Sequence, residues 1–298
     1  MTNKIFKKIK RCFFALLHSA KPIHAQASNS VIFSYIDVSA WQMKIAWAKV
    51  KAAGIQGAII RAGMGDVLSY PGQKDQYYEY NYSECKRVGL PVGVYFYCYA
   101  TTVEEAQREA RGCLELLKGK QFELPILYDV EELRTFATGK TNEIIKAFAD
   151  ILEAAGYWVG VYIYRSAAQT YLTEYTRTRY AMAIAEYGPK LNYSGPYGIW
   201  QNSSTWRVDG ISGNVDHDWC YVDYPTLIKE KGKNGYPKPA PKLMYQVTKD
   251  TPIVSIKDVE PKGKTVRIGG RKTVCGVQYG RIDGTKDDWI SLKDAKQI

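Results

Sequence analysis

Leu124-Pro125-Ile126-Leu127-Tyr128-Asp129-Val130-Glu131-Glu132 reads as a short buried strand that runs out into carboxylates. Side chains two apart on a strand point the same way, about 6.5–7 Å apart along the backbone, so Asp129 and Glu131 face whatever lies beyond the strand's C-terminal end. Acids held in this way suit proton transfer, one neutral carboxyl giving up a proton while an ionised neighbour steadies positive charge. They also suit a plainer use, one capping the following helix and the other answering a cation.

On both sides of this stretch, apolar strands alternate with helical stretches, the pattern of a parallel α/β domain. Strand-like runs occupy Val31–Val38, Gly57–Arg61, Pro91–Tyr99, Pro125–Asp129, Val159–Ile163 and Tyr180–Ala185. Tyr197–Gln201, Ser204–Val208 and Ile211–Val215 are later candidates. Helical periodicity marks Ile45–Ala53, Gln76–Val88, Thr102–Leu117, Asn142–Ala155 and Ser166–Leu172. About eight strands and five helices predict an α/β fold, an irregular (β/α) TIM-like barrel whose active site belongs at the strand C-terminal ends. Asp37, Arg61, Tyr97, Asp129, Glu131 and Gln201 all fall at such ends.

The barrel is expected over residues 31–228, with other material on either side. Residues 1–30 form a basic segment: Lys4 to Arg11, the apolar run Cys12–Leu17, and the small-residue site Ala25-Gln26-Ala27, a layout that fits either a cleaved export signal or a disordered tail. That apolar run is far too short to span a membrane, so no stable membrane insertion is expected. Residues 229–241, rich in Lys, Gly and Pro, read as a linker, and 242–298 as a small all-β C-terminal domain.

Composition narrows the function. The 298 residues include 24 Tyr and 7 Trp against 8 Phe, an excess that fits stacking on sugar rings and fits equally a Tyr-rich barrel rim. The net charge is +11, and removing the six cations of residues 1–27 lowers it to +5, which suits an anionic polymer. No nucleic-acid motif is present. Six scattered cysteines without a C-x-x-C pair, and three separated histidines, indicate neither a metal site nor a disulfide framework, and no cofactor is expected. His217, between two aspartates, reads as a polar rim residue.

Six local motifs stand in order: Ile36-Asp37-Val38-Ser39-x-Trp41-Gln42, Gly57–Gly63, Gly89–Tyr97, Tyr128-Asp129-Val130-Glu131, Trp200-Gln201, and Gly210-Ile211-x-Gly213-x-Val215-Asp216. Together they resemble the family 25 glycoside hydrolases, the Chalaropsis-type lysozymes or N-acetylmuramidases, from about Tyr35 to Trp219. The resemblance implies a monomeric, extracellular or phage-released enzyme that cuts the β-1,4 bond between N-acetylmuramic acid and N-acetylglucosamine in bacterial peptidoglycan. It implies Glu131 as the general acid/base, Asp129 as its partner at the oxocarbenium centre or the N-acetyl group, and Asp37 and Asp216 as supporting acids. Arg61, Tyr95, Tyr97, Tyr128, Tyr162, Glu186, Trp200 and Gln201 are the candidate sugar contacts. For Tyr97, Tyr128, Tyr162, Tyr164 and Trp200, packing in the core or rim is the alternative. Glu186 departs from the neutral amide common at that place in the family. Two acids on one strand lie further apart than the roughly 5–5.5 Å of a direct nucleophile pair, which favours assistance by the substrate's acetamide or by water. The C-terminal module resembles SH3-like wall-binding domains. A chitinase-like hydrolase and a glycan-binding protein on the same barrel remain the competing readings.

Overall fold

The computed structural model describes residues 30–239 and, beyond them, 244–247, 251–252, 259–260, 265–274, 277–282, 289–292 and 295–297. The basic segment 1–27, Cys12, His18, His24 and Cys275 lie outside the described residues. Eight strands close a barrel in chain order: β1 Phe33–Val38, β2 Gly57–Met64, β3 Val92–Tyr97, β4 Ile126–Asp129, β5 Val159–Tyr164, β6 Ala181–Ala185, β7 Ile199–Trp206 and β8 Val215–Cys220. Strands β1 to β7 are parallel, whereas β8 runs antiparallel to both β7 and β1. The expected α/β barrel is therefore mixed at its seam. Tyr197–Gln201 and Ser204–Val208 are not two strands: β7 continues through the polar run Asn202–Thr205 because bulged pairing with β8 satisfies its backbone. Ile211–Val215 is mostly the turn into β8.

Eight α-helices accompany the barrel among the described residues, where five were expected: α1 Trp47–Ala52, α2 Tyr78–Val88, α3 Val103–Leu117, α4 Leu133–Ala137, α5 Thr141–Ala154, α6 Arg165–Tyr171, α7 Glu174–Arg179 and α8 Tyr224–Lys231. The three additions, α4, α7 and α8, are too short for a full apolar stripe, so periodicity passes over them. Their caps are nevertheless written in the chain. Thr173 accepts from the Thr176 amide to start α7, while Asp223 accepts from the Thr226 amide and Gly232 (φ 59°) ends α8.

Helix α8 also corrects the linker expected from Lys229, because Tyr224 and Ile228 pack into the lower end of the barrel. Buried Asn234 then accepts from the Trp158 amide at 2.6 Å and donates to the Leu124 carbonyl at 2.8 Å. The boundary between the two compact units of the chain falls at Lys238/Pro239.

The barrel interior is layered by the two-residue period of its strands. Tyr35, Ile59, Leu127, Ala183, Ile199 and Cys220 form an apolar floor with Trp158 and α8. Two residues further toward the C-terminal end of β1, β2, β4 and β7 stand Asp37, Arg61, Asp129 and Gln201. One register step thus separates core from site. Below them Gly160 of β5 faces inward, and a Cβ there would stand 2.5 Å from both the Ala181 carbonyl oxygen and Leu127 Cδ2. Gly160→Ala is expected to destabilise the barrel by about 2–3 kcal/mol through overpacking, read as a lower urea midpoint.

The second unit contains a five-stranded sheet and a two-stranded one. The sheet orders β14 Trp289–Ser291, β13 Val277–Ile282, β12 Thr265–Val274, β9 Met244–Val247 and β15 Ala295–Gln297, and β10 Thr251–Pro252 pairs with β11 Val259–Glu260. Apart from Pro239 and Leu292, its described residues are in strands, as the short alternating runs predict. Among the described residues, no helix is long and apolar enough to cross a membrane.

Candidate active site

A cavity of about 190 Å³ opens at the C-terminal ends of the strands. Five carboxylates line it: Asp37, Asp129, Glu131, Asp216 and Asp218. Arg61 is the cation among its lining residues, and its Nε is held by Asp75 at 2.8 Å. Buried Asp75 also accepts from the amides of Ala40 (2.8 Å) and Tyr77 (2.9 Å), so the guanidinium is fixed to the loop after β1. Asp37 pairs in register with Asp216 across the β1–β8 ladder, and Tyr97 and Tyr162 flank Asp129 on β3 and β5. Tyr162 donates to Gln201 Oε1 (2.9 Å), and Gln201 Nε2 donates to Asp37 Oδ2 (2.6 Å). This chain sets the orientation of Asp37 across three strands.

Acids confined together cannot all ionise, since burial and mutual repulsion both favour the neutral form. Burial pushes the Glu131 carboxyl up to about 7, with the charges of Asp216 and Glu132 adding to the shift. Asp129, 5% exposed, is raised by burial and then by Glu131, while Arg61 opposes the rise. Asp37 and Asp216 are raised by burial as well, and Asp218 is lifted to about 8 by burial and by Asp216. Oδ1 of Asp129 and Oδ2 of Asp218 are buried without a hydrogen-bond partner. The plainer use of the pair does not hold: Glu132 occupies the N-cap of α4, and neither Asp129 nor Glu131 forms an ion pair among the described residues.

Of the sequence candidates, Asp37, Arg61, Tyr95, Tyr97, Asp129 and Glu131 meet in this cavity, together with Tyr162, Gln201 and Asp216. Four others do not line it. Tyr128 points outward between the barrel and its helices, with its ring stacked on Phe148 at 3.8 Å and its hydroxyl donating to Glu109 at 2.6 Å, so it is out of reach of a sugar. Trp200 is buried and donates from Nε1 to the Glu186 carbonyl at 2.8 Å. Glu186 itself pairs with Arg165 at 2.9 Å and accepts from the Asn192 amide at 2.7 Å, which holds its carboxylate off the cavity. Tyr164 packs edge-on against Phe136. Among the described residues, no group of three or more His, Cys, Asp and Glu is arranged to hold a metal ion.

The model of the glycosyl hydrolases family 25 matches residues 36–211, more than half of the chain. The chain belongs to glycosyl hydrolase family 25. Protein YegX of Escherichia coli O157:H7 is 29% identical over 206 residues, which are 65% of this chain and 71% of that one. The modular autolysin LytC of Streptococcus pneumoniae, solved alone and with a synthetic peptidoglycan ligand, is 31% identical with a TM-score of 0.55. The match covers 62% of this chain and 46% of LytC, so this chain spans less than half of that autolysin. The bacterial lysozyme of Streptomyces coelicolor shares the fold at 24% identity and TM-score 0.57, over 70% of this chain and 99% of that one.

In this family 25 barrel, sequence reading missed Asp218, which lies two residues past Asp216 on the same face of β8. Placing the last strand at 211–215 hid the period. Trp41, quoted in the first motif but given no role, lines the cavity with its side chain 84% exposed.

Proposed function

We propose that the protein is a peptidoglycan hydrolase, a muramidase that cuts the β-1,4 bond between N-acetylmuramic acid and N-acetylglucosamine, with Glu131 as general acid and base. The observation that carries this reading is the carboxyl of Glu131, held protonated up to about pH 7 beside the buried carboxyl of Asp129. Glu131 gives its proton to the glycosidic oxygen as the C–O bond breaks, and the bonding pair leaves with the N-acetylglucosamine oxygen. Asp129, with one oxygen free of protein partners, faces the positive charge at the anomeric carbon or orients the neighbouring acetamide. The ionised Glu131 then takes a proton from the water that completes hydrolysis. Asp216, with Glu132, supplies the negative field that makes loss of the Glu131 proton costly, Asp37 supports the site by anchoring Gln201, and Arg61, Tyr95, Tyr97, Tyr162 and Gln201 hold the sugars. The likeness to an autolysin solved with a peptidoglycan ligand supports the substrate.

In the same reading the second unit binds the wall. Residues 242–298 carry twelve Lys and Arg against seven Asp and Glu, an excess of five cations that suits anionic wall polymers. An SH3-like fold for this unit, export by way of residues 1–27 and action as a monomer complete the proposal.

The test is mass spectrometry of fragments that the full-length protein releases from purified peptidoglycan, after borohydride reduction of the new ends. Reduced N-acetylmuramic acid is expected at those ends. Reduced N-acetylglucosamine would make the enzyme a glucosaminidase, and the absence of fragments would overturn the hydrolase reading.

A further inference from the structure

Beside the catalytic cavity lies a wider groove of about 530 Å³ that shares Trp41, Arg61 and Tyr97 with it. Its remaining wall is Ala40, Met43, Met64, Gln76 and Tyr99. Two large apolar side chains on this wall stand in water, Trp41 at 84% and Met43 at 60% exposure. The backbone that presents them is held against its own preference. Met43 sits at φ 55°, ψ −142°, a region that glycine occupies freely and a residue with a Cβ occupies at a cost. The loop around it is clamped: Trp41 N donates to Ser39 Oγ, Ser39 N to Gln42 Oε1 (2.9 Å), Ala40 N to Asp75 (2.8 Å) and Met43 N to the Ala40 carbonyl (3.1 Å). Gln42 donates to the Asn214 carbonyl at the other side of the barrel seam.

A strained backbone bearing an exposed thioether next to an exposed indole gains nothing for folding, since neither side chain is buried. Strain held in place by surrounding hydrogen bonds is found where a side chain must be shown to a ligand. The groove shares Trp41, Arg61 and Tyr97 with the catalytic cavity, so the next sugar of a chain held there is the occupant within reach. Indole and phenol faces pack on the apolar face of a pyranose, and thioethers adapt to an acetamide methyl.

We propose that Trp41 and Met43, with Met64 and Tyr99, form a shelf that binds the N-acetylated sugar next to those held at Glu131, making Met43 a determinant of chain-length preference. The proposal rests on the muramidase reading. Met43 then trades backbone ease for a contact that short substrates cannot use, and Trp41 supplies the stacking face.

The test compares kcat/KM on peptide-free glycan chains of four and eight sugars for the wild type, Met43→Gly and Trp41→Ala. The wild type is expected to favour the longer chain, Met43→Gly to reduce that preference about fivefold and Trp41→Ala about tenfold, losses of the size expected for one apolar contact. Thermal unfolding of Met43→Gly is expected at an equal or higher midpoint, because glycine relieves the strain. A wild-type preference retained in Met43→Gly overturns the shelf. So does a midpoint lowered by more than about 4 °C, which would mark Met43 as a packing residue. A wild type that cleaves both lengths equally overturns the shelf alone, and a wild type that cleaves neither overturns the muramidase reading and the shelf with it.

Discussion

Glu131→Gln is expected to lower kcat on peptidoglycan by about a thousandfold or more while leaving KM and wall pelleting within about twofold, the range for loss of a positioned proton donor. The amide matches the carboxyl in shape and cannot give up a proton. Because burial and the Asp216 charge already hold Glu131 near a pKa of about 7, the substitution replaces a mostly neutral group by a neutral one below that pH. Folding is therefore expected to be unharmed, and at pH 8, where the native carboxylate is charged, the variant is expected to unfold at the higher temperature. Asp129→Asn removes the carboxyl beside the reacting centre, so it is expected to slow turnover, while the alkaline limit set by Glu131, whose shift comes from burial, Asp216 and Glu132, stays in place. Release of reducing ends under single-turnover conditions checks both variants. More than a tenth of wild-type activity in Glu131→Gln would remove Glu131 from the acid role.

The parts of this site visible in the sequence are those that depend on a strand's two-residue period. Leu127 and Asp129, or Ile199 and Gln201, are floor and site on one strand, and the apolar run before each polar residue fixes which way it faces. By the same rule Tyr128 and Trp200, one residue from Asp129 and Gln201, face away from the cavity, the packing alternative that stood beside sugar contact for both. A tyrosine or tryptophan looks alike on either side of a barrel wall because both sides can bury it. Asp218 was hidden for a different reason, since its strand pairs antiparallel at the seam and carries Asp216, His217 and Asp218 in place of an apolar run. The strain at Met43 has no sequence signature at all: only the backbone angle shows that a methionine holds a glycine conformation.

Raising the pH from about 6.5 to 8.5 is expected to destabilise the barrel by about 2–4 kcal/mol or more, with Asp218 a main source alongside Asp37 and Asp129, which burial raises well above the usual carboxylate range. A free aspartate titrates near 3.9, whereas Asp218 in the folded chain titrates near 8, so between those values the folded state binds a proton that the unfolded state has released. Its contribution to stability is fully present below pH 4 and is lost as the pH rises through 8. Glu131 and Glu109, each raised to about 7, act with the same sign over the lower half of the window. His217 acts with the opposite sign: burial depresses its pKa to about 4, so its contribution rises with pH until the unfolded imidazole is neutral, about one unit above 6.5, and offsets only about 0.4 kcal/mol of the loss within the window.

Asp218→Asn keeps the shape and removes the titration. It is expected to unfold at a higher temperature than the wild type at pH 8.5 and to flatten the slope above pH 6.5. The activity profile separates this acid from its neighbour. Asp216, not Asp218, adds to the Glu131 shift, so Asp216→Asn is expected to move the alkaline limb of kcat/KM below pH 7, while Asp218→Asn leaves that limb in place. Thermal melts at pH 6.5 and 8.5 with the two rate profiles decide the matter. A wild-type midpoint that rises with pH, or an alkaline limb that moves in Asp218→Asn and not in Asp216→Asn, would show that the five acids share their protons in another order.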